Sequence, residues 1–453
     1  MTKHQQLDRR GRMIVLVAAF LGWMFAGWEM SLLPLSARAA TIGMLQDDPS
    51  HSDWVALGRQ PVPESLEAEE SKVRLEKEVG EWFARYIAAF LLGAAVGGWV
   101  FGWYGDHAGR VKAMGVSIIW YAGFTGLAYF VETPMQMLMV RFVACMGIGG
   151  MWPAGVSLVS EAWPDVSRPT LAGLIGASAN VGIALLGIVV RMIGDWLPEY
   201  QLTPDAWRWM MLLGASPIVL GFVVLLIVPE SPRWLSQREQ ASDTKDTSPL
   251  VAVLRPPLLN LTLAGIALGT IPLLGAWGAQ KWIIPWAGQV GSRIGEESLK
   301  ADTQTVWAIG ASLGSLCGGW LAAYVGRRRT YFLVSLGSLI LSGLIFRMLD
   351  PSQGWRFMVP VFLLGLVATV YFGWLPLYLP EMFPTRVRAT GSGISFNSGR
   401  IISAVLVFAT TGLVAAFNGD YARVGELTSL IYVLGMVVIL LVPKSREAIE
   451  EES

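Results

Sequence analysis

Apolar residues dominate twelve stretches of this chain, and charged residues collect in the segments between them. The stretches fall at roughly 13–35, 83–104, 113–131, 135–160, 170–192, 207–229, 257–288, 303–324, 330–349, 356–380, 389–414 and 424–443. A helix needs about 20 residues to cross a bilayer core, and each stretch reaches or approaches that length. Backbone groups in lipid find no water, so each stretch is predicted to close its own hydrogen bonds as an α-helix. The expected fold class is an all-α polytopic membrane protein with twelve transmembrane helices.

Composition agrees with that pattern. Of the 453 residues, 53% are hydrophobic and 15% are charged, and the mean hydropathy is +0.50. Soluble domains carry about 25% charged residues, so the lipid bilayer is the expected environment. Formal net charge is zero, which implies no nucleic-acid partner. The two cysteines, Cys145 and Cys317, sit in apolar stretches outside any paired motif, and there are only three histidines. Neither a disulfide framework nor a metal site is expected, and no cofactor is implied. The first stretch resembles a signal peptide at its basic start and at Ala37-Arg38-Ala39. It is about twice the usual length and carries Glu29, so it reads as a retained helix.

An even number of spans puts both termini on one side. Lys and Arg are denser in the segments on that side, and Asp and Glu on the other. By the positive-inside rule both termini are cytoplasmic, in a cell (inner) membrane. The segment 36–82 then lies outside, with ten acidic and five basic side chains. Pro61 and Pro63 break it, and residues 64–79 read as a short charged helix acting as a solvated cap.

Two motifs recur in the same order at nearly the same spacing. Gly102, Asp106, Gly109 and Arg110 follow the second span, and Gly319, Ala323, Gly326 and Arg327 follow the eighth. Glu161, Pro164 and Arg168 follow the fourth, and Glu381, Pro384 and Arg388 follow the tenth. The chain therefore reads as two six-helix halves, 1–230 and 256–453, joined by a hydrophilic linker at 231–255. Halves of this kind suit alternating access around a site between them.

These motifs resemble the major facilitator superfamily. Pro229-Glu230-Ser231-Pro232-Arg233-Trp234-Leu235 matches the motif ending the sixth helix of sugar porters. Arg141-Phe142 with Gly147 and Gly149, and the two Glu-x-x-Pro-x-x-x-Arg loops, fit the same branch and the metabolite:proton symporters and organic-ion carriers. The resemblance implies the two-halved fold and transport of a small solute. Departures are His107 for a base, Ala323 for an acid, and Asn180 and Gln280 where sugar porters carry glutamine motifs. A cytoplasmic gate is expected from Gly102, Asp106, Gly109, Arg110, Glu161, Arg168, Glu230, Arg233, Gly319, Arg327, Glu381 and Arg388. Its arginines can fork onto the carboxylates and join the halves in one state.

Three charges fall at membrane depth. Glu29 lies about 24 Å above the start of its span and Arg141 about 9 Å below the outer end of the fourth. Both sit in the outer third, where an unpaired charge is costly, so they are expected to pair. A carboxylate beside an arginine can take up a proton when the geometry changes, which is what proton coupling requires. The resemblance implies the same role. Arg400 falls near the middle of the eleventh span, with Asn397 on the same face, and suggests an anionic group on the substrate. Asn180, Gln280, Trp28, Trp152, Trp277, Tyr371 and Trp374 complete the candidate substrate site. Lys281, near the outer end of the seventh span, is an ambiguous fourth charge that can snorkel. No nucleophile–base set or phosphate loop occurs, so an enzyme is not expected. The reading is a secondary transporter for a small carboxylate with proton symport. A sugar carrier is the alternative within that class, and a transport-inactive membrane sensor the alternative outside it.

Overall fold

The computed structural model describes residues 7–45, 66–163, 168–196, 206–232, 234–235, 249–256, 258–384 and 387–442. Among these no strand occurs, and twelve helices are long and apolar enough to cross a membrane. We number them α1 (Arg9–Leu45), α2 (Leu66–Ala108), α3 (Arg110–Leu127), α4 (Pro134–Ala162), α5 (Arg168–Trp196), α6 (Ala206–Ile227), α7 (Leu258–Ile294), α8 (Leu299–Val325), α9 (Arg327–Met348), α10 (Trp355–Glu381), α11 (Arg388–Ala416) and α12 (Tyr421–Leu441). The face where α1 begins and α12 ends is the terminal side. The opposite face, which carries the α1–α2 connection, is the loop side.

The repeat in sequence is a repeat in structure. Gly109 stops α2 and starts α3 at φ 114° and ψ 155°, and Gly326 does the same between α8 and α9 at φ 92° and ψ 141°. Side chains with a Cβ rarely adopt that backbone, which is why glycine stands at both positions. Above these corners the same helix pairs pack. A Cβ on Gly97 of α2 would sit 1.9 Å from the Met146 carbonyl oxygen of α4, and one on Gly314 of α8 would sit 2.0 Å from that of Leu366 in α10. Small residues let these backbones touch. Between the halves α2 lies along α11, and α5 along α8. Exchanging the halves turns one contact into the other, the signature of a pseudo-two-fold axis.

Two elements differ from the sequence expectation. The charged segment of the insert is not a separate short helix. It is the first part of α2, which runs without a break from Leu66 to Ala108. No proline interrupts that run, and glutamates and lysines are good helix formers, so nothing stops the helix at the membrane edge. Likewise α1 continues to Leu45. The second difference is α7, which is not one regular helix. It holds Pro272, then a π turn at Gly275–Ala279 and a 3-10 turn at Gln280–Trp282, and resumes at Ile283. Pro285 has no N–H to offer the Lys281 carbonyl, so the regular ladder cannot pass through this point.

Candidate functional site

A cavity of about 120 Å³ lies between the halves. The first half contributes Trp23, Phe90, Trp152 and Asn180 to its wall, and the second Trp277, Lys281, Trp307, Phe372, Phe396 and Arg400. Aromatic rings meet across the interface. Phe90 and Trp277 have ring centroids 4.4 Å apart, while within the first half Trp152 packs on Trp23 at 4.9 Å. The Asn180 carboxamide of α5 donates to Ser315 Oγ of α8 at 3.0 Å and to the Ala311 carbonyl at 3.4 Å, so it also ties the halves together.

Among the described residues both charged groups in the wall are cations, and no Asp or Glu lines the cavity. Arg400 Nη1 donates to the Ala94 carbonyl of α2 at 3.2 Å and to Asn397 Oδ1 at 3.4 Å, with its guanidinium 4.9 Å above the Phe396 ring. A guanidinium has five N–H donors in a rigid fork, and both contacts fall on one nitrogen. Lys281 projects from the broken part of α7. Sequence position left open whether it snorkels, and the side chain lies inward. It is 2% exposed, and its Nζ stands over the rings of Trp277 and Trp307 at 5.0 and 4.5 Å.

Of the sequence candidates, Arg400, Asn180, Trp152 and Trp277 line the cavity. Five others stand behind it. Asn397 supports Arg400 and lies against Gly98 of α2. Gln280 accepts from the Trp307 indole at 2.9 Å and donates to Tyr432 Oη at 2.5 Å, so it orients a wall residue from the rear. Trp28 packs with Phe25. Tyr371 bonds Ser335 and Tyr371 and Trp374 stack around Tyr331 in the core of the second half. These helices are apolar on every side, so the sequence did not say which face meets the cavity. Trp23, Phe90, Trp307, Phe372 and Phe396 escaped notice for the same reason.

Glu29 and Arg141 form a buried ion pair inside the first half, 0% and 2% exposed. Thr125 Oγ1 of α3 donates to Glu29 Oε1 at 2.9 Å, so α1, α3 and α4 meet at one carboxylate. Neither charged residue is part of the cavity wall.

On the terminal side the motif residues bond within the first half. Asp106 pairs with Arg110. Glu230 accepts from the Arg110 amide at 3.0 Å and the Val111 amide at 3.1 Å, capping the first turn of α3. Ser231 donates to Glu161, and the Trp234 indole to the Asp106 carbonyl at 2.9 Å. In the second half Arg327 stands over the Tyr378 ring at 5.4 Å, and Gly319 is buried in α8. Gly102 has nothing within 4 Å of a Cβ built on it. Arg233 and the side chains of Arg168, Glu381 and Arg388 lie outside the described residues. On the loop side, further polar contacts cross between the halves. Arg191 of α5 pairs with Asp302 of α8. Tyr421 Oη of α12 donates to the Glu76 carbonyl of α2 at 2.8 Å, and Glu76 also holds Arg38 of α1 at 2.6 Å.

Comparison with known proteins fits this geometry. A sequence model of the Major Facilitator Superfamily matches residues 81–407. The chain is 27% identical to a probable 4-methylmuconolactone transporter of Cupriavidus pinatubonensis, over 79% of this chain and 80% of that protein. It is 26% identical to the cis,cis-muconate transport protein of Acinetobacter baylyi, over 76% and 82%. The crystal structure of a D-xylose-proton symporter superposes with a TM-score of 0.63 at 17% identity, covering 93% of this chain and 97% of that one.

Proposed function

The chain belongs to the Major Facilitator Superfamily and is a membrane transporter rather than an enzyme, and from that premise we propose that it carries a small organic carboxylate by proton symport. The observation that carries this reading is the charge of the cavity: two cations, no acid, and aromatic walls. A neutral sugar would leave both cations without a counter-charge, whereas a carboxylate can take the free edge of Arg400 in a forked pair. Relatives named for muconate and a muconolactone transport compounds of related chemistry.

In this reading residues 1–230 and 256–453 rock about the cavity, with 231–255 as the tether. The terminal side faces the cytoplasm of a cell with this protein in its inner membrane. Glu29 takes the proton when Arg141 shifts, and the terminal-side motif acts as the latch of the opposite state. The Arg191–Asp302 and Tyr421–Glu76 contacts close the loop side, and on the terminal side Asp106 and Glu230 are bonded within the first half and Glu161 to Ser231 just after it. That distribution suits a conformer closed to the outside.

The test is uptake into proteoliposomes under an inward proton gradient, with a panel of aliphatic and aromatic monocarboxylates beside neutral sugars. Carboxylates are expected to accumulate, and Arg400→Gln to weaken their uptake by about 10- to 100-fold. Accumulation of sugars alone, or normal carboxylate affinity in the Arg400 variant, would overturn the reading.

A further inference from the structure

The carboxylate reading uses Arg400 and leaves the second cation of the cavity without a task. Lys281 Nζ is buried and has no hydrogen-bond partner, although an ammonium carries three donors. Its surroundings are two indole rings, and Trp307 is held in place from behind by Gln280. Rings supply no acceptor atom, and the attraction of a cation to a ring face is smaller than the cost of stripping water from an ammonium. With no carboxylate among the described residues of the wall, an anion that enters the cavity would supply the counter-charge that keeps the ammonium charged.

We propose that Lys281 is a second anion anchor, and that the cargo is a flat, unsaturated or aromatic dicarboxylate with one carboxylate at Arg400 and the other at Lys281. The inference rests on the carboxylate reading and narrows it. Two fixed cations are balanced by a dianion and only half balanced by a monoanion. The walls favour a flat π surface, because Phe90, Trp152, Trp277, Trp307 and Phe396 offer ring faces and edges. The selectivity follows from the same physics: a monoacid leaves the Lys281 ammonium buried and unpaired, and sites built around a polar partner reject analogues that lack it.

The experiment uses the full chain in proteoliposomes and two matched pairs of acids, benzoate with terephthalate and sorbate with cis,cis-muconate. The wild type is expected to favour each diacid over its monoacid by roughly ten-fold or more in KM. Lys281→Gln should bring that ratio close to one, and Lys281→Arg should restore most of it. A wild type without diacid preference overturns the inference, as does a Lys281→Gln variant that keeps it. Equal loss of both acids in Lys281→Gln without rescue by Lys281→Arg also overturns it, because Lys281 is then structural. Monoacid uptake without diacid preference leaves the carboxylate reading standing, whereas uptake of neither acid beside uptake of sugars removes both.

Discussion

Arg141 meets Glu29 through Nη1 and Oε1, and Thr125 uses that same carboxylate oxygen, so Glu29 Oε2 and Arg141 Nε are left without partners in the packed interior of the first half. The pair is therefore bonded but not saturated. A buried pair with a free oxygen has a place for a proton that needs no rearrangement of the backbone. Removing one partner outright would strand the other charge, at about 3–5 kcal/mol.

Glu29→Gln tests the coupling role while keeping the hydrogen bonds, because the carboxamide oxygen can still accept from Arg141 and Thr125. The variant should fold, lose accumulation driven by a proton gradient, and retain counterflow exchange. The measurement is uptake with and without the gradient, beside exchange of preloaded substrate. Undiminished gradient-driven accumulation would remove Glu29 from the coupling step.

The terminal-side latch is tested at Glu161, which accepts from Ser231 in this conformer. Glu161→Gln keeps an acceptor for that hydroxyl, so thermal stability should change by less than about 1 kcal/mol. Turnover should fall several-fold, because a neutral amide cannot form a forked ion pair with an arginine of the second half. Wild-type turnover in this variant would end the latch proposal.

One of the two loop-side contacts rests on a single hydroxyl. Tyr421→Phe deletes the bond to the Glu76 carbonyl and to Glu76 Oε2 at 3.2 Å. The cavity should then open to the loop side more often. In a chain with Cys145 and Cys317 replaced by Ser, Lys281→Cys reports access through labelling by an impermeant thiol reagent added from the loop side. Labelling should speed up several-fold in the Tyr421→Phe background, and an unchanged rate would show that the closure lies elsewhere.

Helix packing gives a control pair. Gly97→Ala places a methyl against a carbonyl 1.9 Å away, and a backbone atom cannot rotate aside. The variant should lose about 1–3 kcal/mol and melt at lower temperature in detergent. Gly102→Ala meets nothing within 4 Å and should leave the melting temperature unchanged or slightly raised.

Most of the architecture was legible because hydropathy sets span length and because Gly109 and Gly326 mark matching corners. The inner wall was only partly legible. Arg400 and Asn180 stood out as polar groups in apolar runs, and a polar group at that depth must face a cavity or a partner. Trp277 lines the cavity and Trp374 does not, yet both are tryptophans in uniformly apolar helices, where no polar face tells inside from outside. Lys281 was left undecided for another reason. Counting along α7 at a constant rise assumes a regular helix, and the π turn between Pro272 and Pro285 changes both register and direction.

The unbroken length of α2 has a mechanical consequence. Its 43 residues make a rod about 65 Å long, roughly twice the hydrocarbon thickness it crosses. Pivoting such a rod by roughly 10° about its inner end would sweep the far tip through about 11 Å. If α2 tilts as one rod, its acidic end would act as a lever arm, turning a small tilt at membrane depth into a large excursion at its tip, where a fluorophore or an antibody fragment could read it in real time.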